Sequence, residues 1–147
     1  MSSPLVQAQN LKKYFKIKGR GELHAVDDVS FTINEGETFG LVGESGCGKS
    51  TIGNLVMRLL DPTEGKLLYR GKNIYESSRE EKTELCKKMQ IIFQDPYSSL
   101  NPRKTIRSIL GESYQIQKIG KSKEEQEMLV RELCDRVSIS HGILDYF

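Results

Sequence analysis

The run Gly43-Glu44-Ser45-Gly46-Cys47-Gly48-Lys49-Ser50-Thr51 restricts what this chain can fold into more than any other segment. Glycines at 43, 46 and 48 let the backbone curl tightly and take φ > 0 at little steric cost. Such a curl turns successive N–H groups inward and makes an anion-binding concavity. Lys49 adds a point charge suited to β- and γ-phosphates, and Ser50 adds a hydroxyl of the kind that reaches Mg²⁺. The spacing is G-x-x-x-x-G-K-[ST], a loop that opens a helix and uses that helix's positive end. Residues 43–51, Gly43 and Glu44 through Thr51, are therefore the candidate cradle for a nucleoside triphosphate.

The flanks supply the context that the motif needs. Thr38-Phe39-Gly40-Leu41-Val42 reads as a short buried strand. After the loop, Ile52, Leu55, Val56, Leu59 and Leu60 fall on one helical face. Asp61-Pro62 should end that helix, because the residue before a proline is pushed out of the α region. Strand, glycine-rich loop, helix is an α/β arrangement.

Bulk properties exclude several classes. At 147 residues the chain has the length of one ordinary domain. Hydrophobic content of 37% with 29% charged residues argues against a disordered or membrane-embedded chain. A net charge of +2 gives no electrostatic case for a nucleic-acid partner. No apolar run approaches bilayer length, and residues 1–6 lack the basic start of a secretion signal. Cys47, Cys86 and Cys134 form no C-x-x-C pair, so neither a zinc site nor a disulfide framework is indicated. A reducing cytosol is the expected compartment, with any membrane connection made through a partner.

Residues 6–11, 29–33, 66–70 and 90–93 read as strands, with turns at 34–37 and 63–65 and a basic loop at 16–22. Ser78 with Glu81, and Ser122 with Glu125, are capping-box spacings that open helices. The second of these helices takes Met128, Leu129, Leu133 and Val137 as its apolar set. Ile106, Ile109 and Leu110 suggest another helix. Lys12-Lys13 and Lys87-Lys88 read as solvated faces. The change from mixed elements to helices divides the chain at 1–94 and 95–147.

Three stretches carry a resemblance. Residues 34–51, Asn34-Glu35-Gly36-Glu37-Thr38-Phe39-Gly40-Leu41-Val42 and the loop that follows, resemble ABC-type ATPases. Gln90-Ile91-Ile92-Phe93-Gln94-Asp95-Pro96-Tyr97-Ser98-Ser99-Leu100-Asn101-Pro102-Arg103 is similar to the Q-loop region of oligopeptide/dipeptide importer ATP-binding subunits, a group that also includes nickel importers. Asn10-Leu11-Lys12-Lys13-Tyr14-Phe15 is similar to that group's opening. The resemblance implies an α/β P-loop NTPase core with an N-terminal antiparallel β portion, truncated at the start of a helical subdomain. It implies ATP and Mg²⁺ as ligands, and ATP hydrolysis that drives peptide uptake. It places Gln94 at Mg²⁺ and the attacking water, with Lys49, as a catalytic residue. It places Phe15 against the adenine, with Tyr14 as the alternative; an aromatic packed under the sheet edge is the plainer reading of either. The implied partners are a second ATPase subunit and transmembrane permease subunits, at the cytoplasmic face of the membrane. Residues 97–103 match the family's surface for those subunits.

The family's LSGGQ-type signature, Walker B acids and switch histidine are not in these 147 residues. His24 and His141 have no switch context. Asp95 follows an apolar run as a Walker B aspartate would, but Pro96 and the loop after it suit a Q-loop. The alternatives are a non-catalytic nucleotide-binding module and a small P-loop kinase, although Arg103, Arg107, Arg131 and Arg136 form no lid-like group. Cys47 reads as a small residue that fits its loop.

Overall fold

The computed structural model describes residues 3–95 and 99–146. They form two units, residues 1–91 and 92–147. Strands β1 (Pro4–Ile17) and β2 (Gly21–Asn34) make a long antiparallel hairpin. β3 (Glu64–Tyr69) pairs with the other edge of β1, and β4 (Lys72–Asn73) with β3, giving the order β2-β1-β3-β4. The two strands of the hairpin absorb most of the segment expected as a basic loop. Only residues 18–20 turn, closed by Arg20 N–H donating to Ile17 O at 3.0 Å.

The expected strand at 6–11 is far longer because its alternation is broken once. Ala8 pairs with Phe31 and Leu11 with Val29, so two residues of β1 oppose Ser30. The extra residue is Asn10, at φ 48; its N–H donates to Ser30 Oγ and its amide to Asp28 Oδ1, both 2.9 Å. This bulge shifts the inward parity by one. Val6 and Ala8 point into the core before it and Leu11 after it. On the other edge, Gln9 pairs with Lys66 and Lys12 with Glu64, so Gly65 faces the same bulge. Gly65 sits at φ +89, and a Cβ there would lie 2.3 Å from Asn10 O.

Helix α1 (Lys49–Val56) lays Ile52 and Leu55 on this sheet. With Val6, Ala8, Leu11, Val26, Leu67 and Ile74 they form the core of the first unit. The helix ends at Val56 rather than at Asp61. Arg58 takes φ 57, and the N–H groups of Leu59 and Leu60 both turn back to Asn54 O. Leu59 is thereby thrown outward, while Leu60 still packs on the core. Tyr75 Oη donates at 2.6 Å to the Leu55 carbonyl, which also accepts from Arg58 N–H at 3.0 Å, and burial pushes the Tyr75 pKa up to about 12. Helix α2 (Arg79–Lys88) opens on a complete capping box between Ser78 and Glu81.

Residues 38–42 and 90–93 do not form the expected strands. Apolar sequence marks a strand as buried, but a strand exists only where a neighbour accepts its backbone hydrogen bonds. Among the described residues neither segment has such a neighbour. Val42 is 93% exposed and Ile92 97%. Phe39 stacks on Phe31, with ring centroids 5.3 Å apart.

In the second unit, α3 (Ile106–Ile116) and α4 (Lys123–Arg136) pack with a short 3-10 turn, His141–Ile143. Val130, Cys134 and Leu144 fill the core between Ile106, Leu110, Tyr114 and Ile139. Met128 and Val137, expected inside, face solvent. Gly111 on α3 is buried against Val130, and a Cβ there would make only an ordinary contact with Val130 Cγ2, at 3.9 Å. Ser122 accepts from Glu125 N–H, but Glu125's carboxylate turns to Lys121 N–H at 2.6 Å, so this box is half closed.

Candidate functional site

The glycine-rich loop has the form that its residues require. Gly46 and Gly48 take φ 82 and 94, and Cys47 N–H donates to Glu44 O. Gly48 caps α1 with no side-chain hydrogen bond, so the first-turn donors of the helix stay open to a ligand. A Cβ on Gly48 would lie 2.2 Å from Ala25 O, and one on Gly43 would lie 2.6 Å from Cys47 Sγ. At position 48 only glycine allows the loop to lie this close to β2.

Lys49 Nζ folds back across the loop. It donates to Gly43 O at 2.7 Å, Glu44 O at 2.6 Å and Cys47 Sγ at 3.4 Å. Its ammonium therefore sits among neutral acceptors that a phosphate oxygen would outcompete, because charge-assisted bonds are roughly twice as strong. Glu44, Ser45, Cys47 and Ser50 are exposed, and Thr51 is half-buried in the first turn of α1. The arrangement suits a polyphosphate bound through backbone N–H groups and one ammonium, with the Ser50 hydroxyl at its edge.

Ala25 is a second bulge residue. Tyr14 pairs with His24 and Lys13 with Val26, which leaves Ala25 extra and its carbonyl beside Gly48. No sequence pattern marked it. On β1, Lys13 and Phe15 share the face of the buried Leu11, two residues apart each time. Lys13 pairs with Val26, whose Cγ2 would lie 3.7 Å from a Gly48 Cβ, so this is the face toward the loop. Lys13 Nζ lies 5.2 Å from the Phe15 ring centroid.

Tyr14 faces the other way. Its ring stacks on His24 at 3.8 Å, and its hydroxyl donates to Asp27. That bond holds the Asp27 carboxyl below its usual range and pushes the Tyr14 hydroxyl up.

The turn after α1 grips the same strand. Lys13 Nζ donates to Asp61 O at 2.6 Å, Thr63 N–H to Lys12 O at 2.8 Å, and Tyr14 N–H to Thr63 Oγ1 at 2.9 Å. Lys12 pairs with Glu64 at 2.9 Å. The Lys12-Lys13 cluster, expected as a solvated face, is thus held by specific partners.

Gln94 belongs to the second unit, at an exposed bend, and with Phe93, Asp95 and Ser99 lines an open cleft of about 510 Å³. Of the stretch 97–103, residues 97 and 98 lie outside the described residues, as does Pro96. Asn101 Oδ1 accepts from Arg103 N–H.

With this geometry in hand, similarity to known proteins can be weighed. The chain is 47% identical over 141 residues to the oligopeptide transport ATP-binding protein OppF of Bacillus subtilis, covering 95% of this chain and 46% of that protein. It is 45% identical over 152 residues to the dipeptide transport ATP-binding protein DppF of Haemophilus influenzae, covering 99% and 46%. The chain thus spans about half the length of the relatives it matches. The dimeric post-hydrolysis state of the ATP-binding cassette MJ0796, bound to ADP and Pi, superposes with a TM-score of 0.77 at 25% identity, covering 97% of this chain and 61% of that one. Residues 26–145 match the family described as ABC transporter. The loop, its helix and the sheet beneath it are those of an ATPase cassette, and the chain belongs to the ABC transporter family.

Proposed function

We propose that this chain supplies the phosphate-gripping part of a cassette whose ATP hydrolysis powers uptake of oligopeptides or dipeptides. The carrying observation is the Lys49 ammonium folded over Gly43 and Glu44 at an uncapped helix start. The names of the Bacillus and Haemophilus relatives support the substrate class. In this reading residues 43–51 hold the triphosphate, and Lys49 exchanges its carbonyl partners for phosphate oxygens. Phe15, on the loop-facing side of β1, stacks on the adenine. Mg²⁺, held by Ser50 and Gln94, would neutralise charge on the phosphates. Gln94 and Lys49 are the catalytic residues. Residues 1–94 carry the nucleotide core and 95–147 the start of the helical portion. Partners are a second ATPase subunit, whose signature segment covers the γ-phosphate, and the permease subunits. Among the described residues no helix is long and apolar enough to cross a membrane, so attachment is peripheral, at the cytoplasmic face through the permease.

Titration calorimetry with Mg-ATP tests the reading. Lys49→Ala should weaken binding about a hundredfold, the upper value for losing a charged hydrogen-bond donor. The same 147 residues should turn over ATP more slowly than about 1 s⁻¹, because they contain no Walker B strand ending in an acidic pair to place Mg²⁺ and water. No binding heat, or an unchanged affinity in the Lys49 variant, would refute the site.

A further inference from the structure

A base-stacking ring is useful only at one distance from the phosphate cradle, and this structure contains a device that sets the distance. Residues 61–63 leave the P-loop helix and land on β1 beside the ring. Asp61 O accepts from the Lys13 ammonium, Thr63 N–H donates to Lys12 O, and Thr63 Oγ1 accepts from Tyr14 N–H. The pairing of β1 with β3 stops at Lys12 and Glu64. The Thr63 hydroxyl therefore adds one more rung to the ladder, at the residue just before Phe15. Lys13 spans from the strand to Asp61 while its ammonium lies against the Phe15 ring, as a cation does on an aromatic face. Both grips lie on the turn that directly follows α1, whose other end is the loop.

We propose that Thr63 and Lys13 are positioning residues for nucleobase recognition, clamping the strand that carries Phe15 to the turn after α1 and so fixing the span between ring and phosphate cradle. This rests on the assignment of Phe15 and residues 43–51 made above. Neither residue takes part in gripping phosphate. Their loss should therefore weaken ligands that carry a base and spare those that do not.

The test is calorimetric titration of the full chain with ATP and, separately, with inorganic tripolyphosphate, both with Mg²⁺. Thr63→Val and Lys13→Met should each bind ATP about tenfold more weakly, within the worth of one base–aromatic stack. Tripolyphosphate affinity should stay within about twofold, the scatter of uncoupled sites. Thr63→Ser, which keeps the hydroxyl, should restore ATP binding. Equal losses for both ligands, or variants that keep full ATP affinity, overturn the proposal. A wild-type chain that binds both ligands equally removes the base platform alone, and one that binds neither removes the phosphate site as well. Should Thr63→Val fail to fold, Lys13→Met carries the same comparison.

Discussion

At the scale of single residues, Gly65 is fixed by contact and Gly71 by conformation alone. Gly65 and Gly71 both have positive φ, at +89 and +79. A Cβ on Gly65 would strike Asn10 O at 2.3 Å, whereas nothing lies within 4 Å of one on Gly71. Gly71→Ala should cost only the left-handed penalty, about 1–2 kcal/mol. Gly65→Ala should cost more, roughly 3 kcal/mol, because the Asn10 bulge must move as well. Urea melts of the two variants decide it. Equal losses would mean that the sheet yields freely at Asn10.

At the scale of elements, the helical unit is locked by one guanidinium. Arg107, in the first turn of α3, bonds Asp145 at 2.9 Å and also Glu127 on α4. The N–H groups of Ile106 and Arg107 donate to Tyr146 O and Leu144 O, which ties the 144–146 segment to the start of α3. The bonds from Arg107 hold both carboxyls below their usual values of 4.5 and 3.8. Each folded pKa is thus lower than the unfolded one. The stabilisation is fully present above the ordinary carboxylate range and is lost as pH falls through the lowered folded values. Arg107→Met should lower the melting temperature near pH 7, and the gap to the unaltered chain should narrow as pH falls below the ordinary carboxylate range. Parallel curves through that fall would show that the guanidinium acts through packing alone. The opening caps of α2 and α4 were readable as Ser-x-x-Glu because a cap is made within four residues. The inward set of α4 was not, because its rotation is set by packing of Val130 and Cys134 against Ile106, Leu110, Tyr114 and Ile139, all outside the helix.

At the scale of the whole molecule, the apolar segments without strand partners dominate behaviour in solution. Val42 and Ile92 are 93% and 97% exposed, and Phe93 and Leu59 are also largely exposed. Exposed apolar patches promote association. Val42→Lys and Ile92→Lys should each leave stability within about 0.5 kcal/mol, as surface substitutions do. Together they should raise the concentration at which light scattering first detects association. A melting point that drops sharply for either variant would show that its side chain is buried in solution.

The amino-acid sequence alone determined what is local: the curl of residues 43–48, the helix that opens at Lys49, the serine caps and the family these motifs imply. Tertiary structure alone decided which face each aromatic of the β1 hairpin presents. That choice depends on bulges such as those at Asn10 and Ala25, and a bulge is set by pairing with strand residues 11 to 55 positions away rather than by neighbours in sequence. Tertiary structure also decided that residues 38–42 and 90–93 are not strands here. Hydrophobic pattern states a preference for burial, but only a paired backbone turns that preference into a sheet.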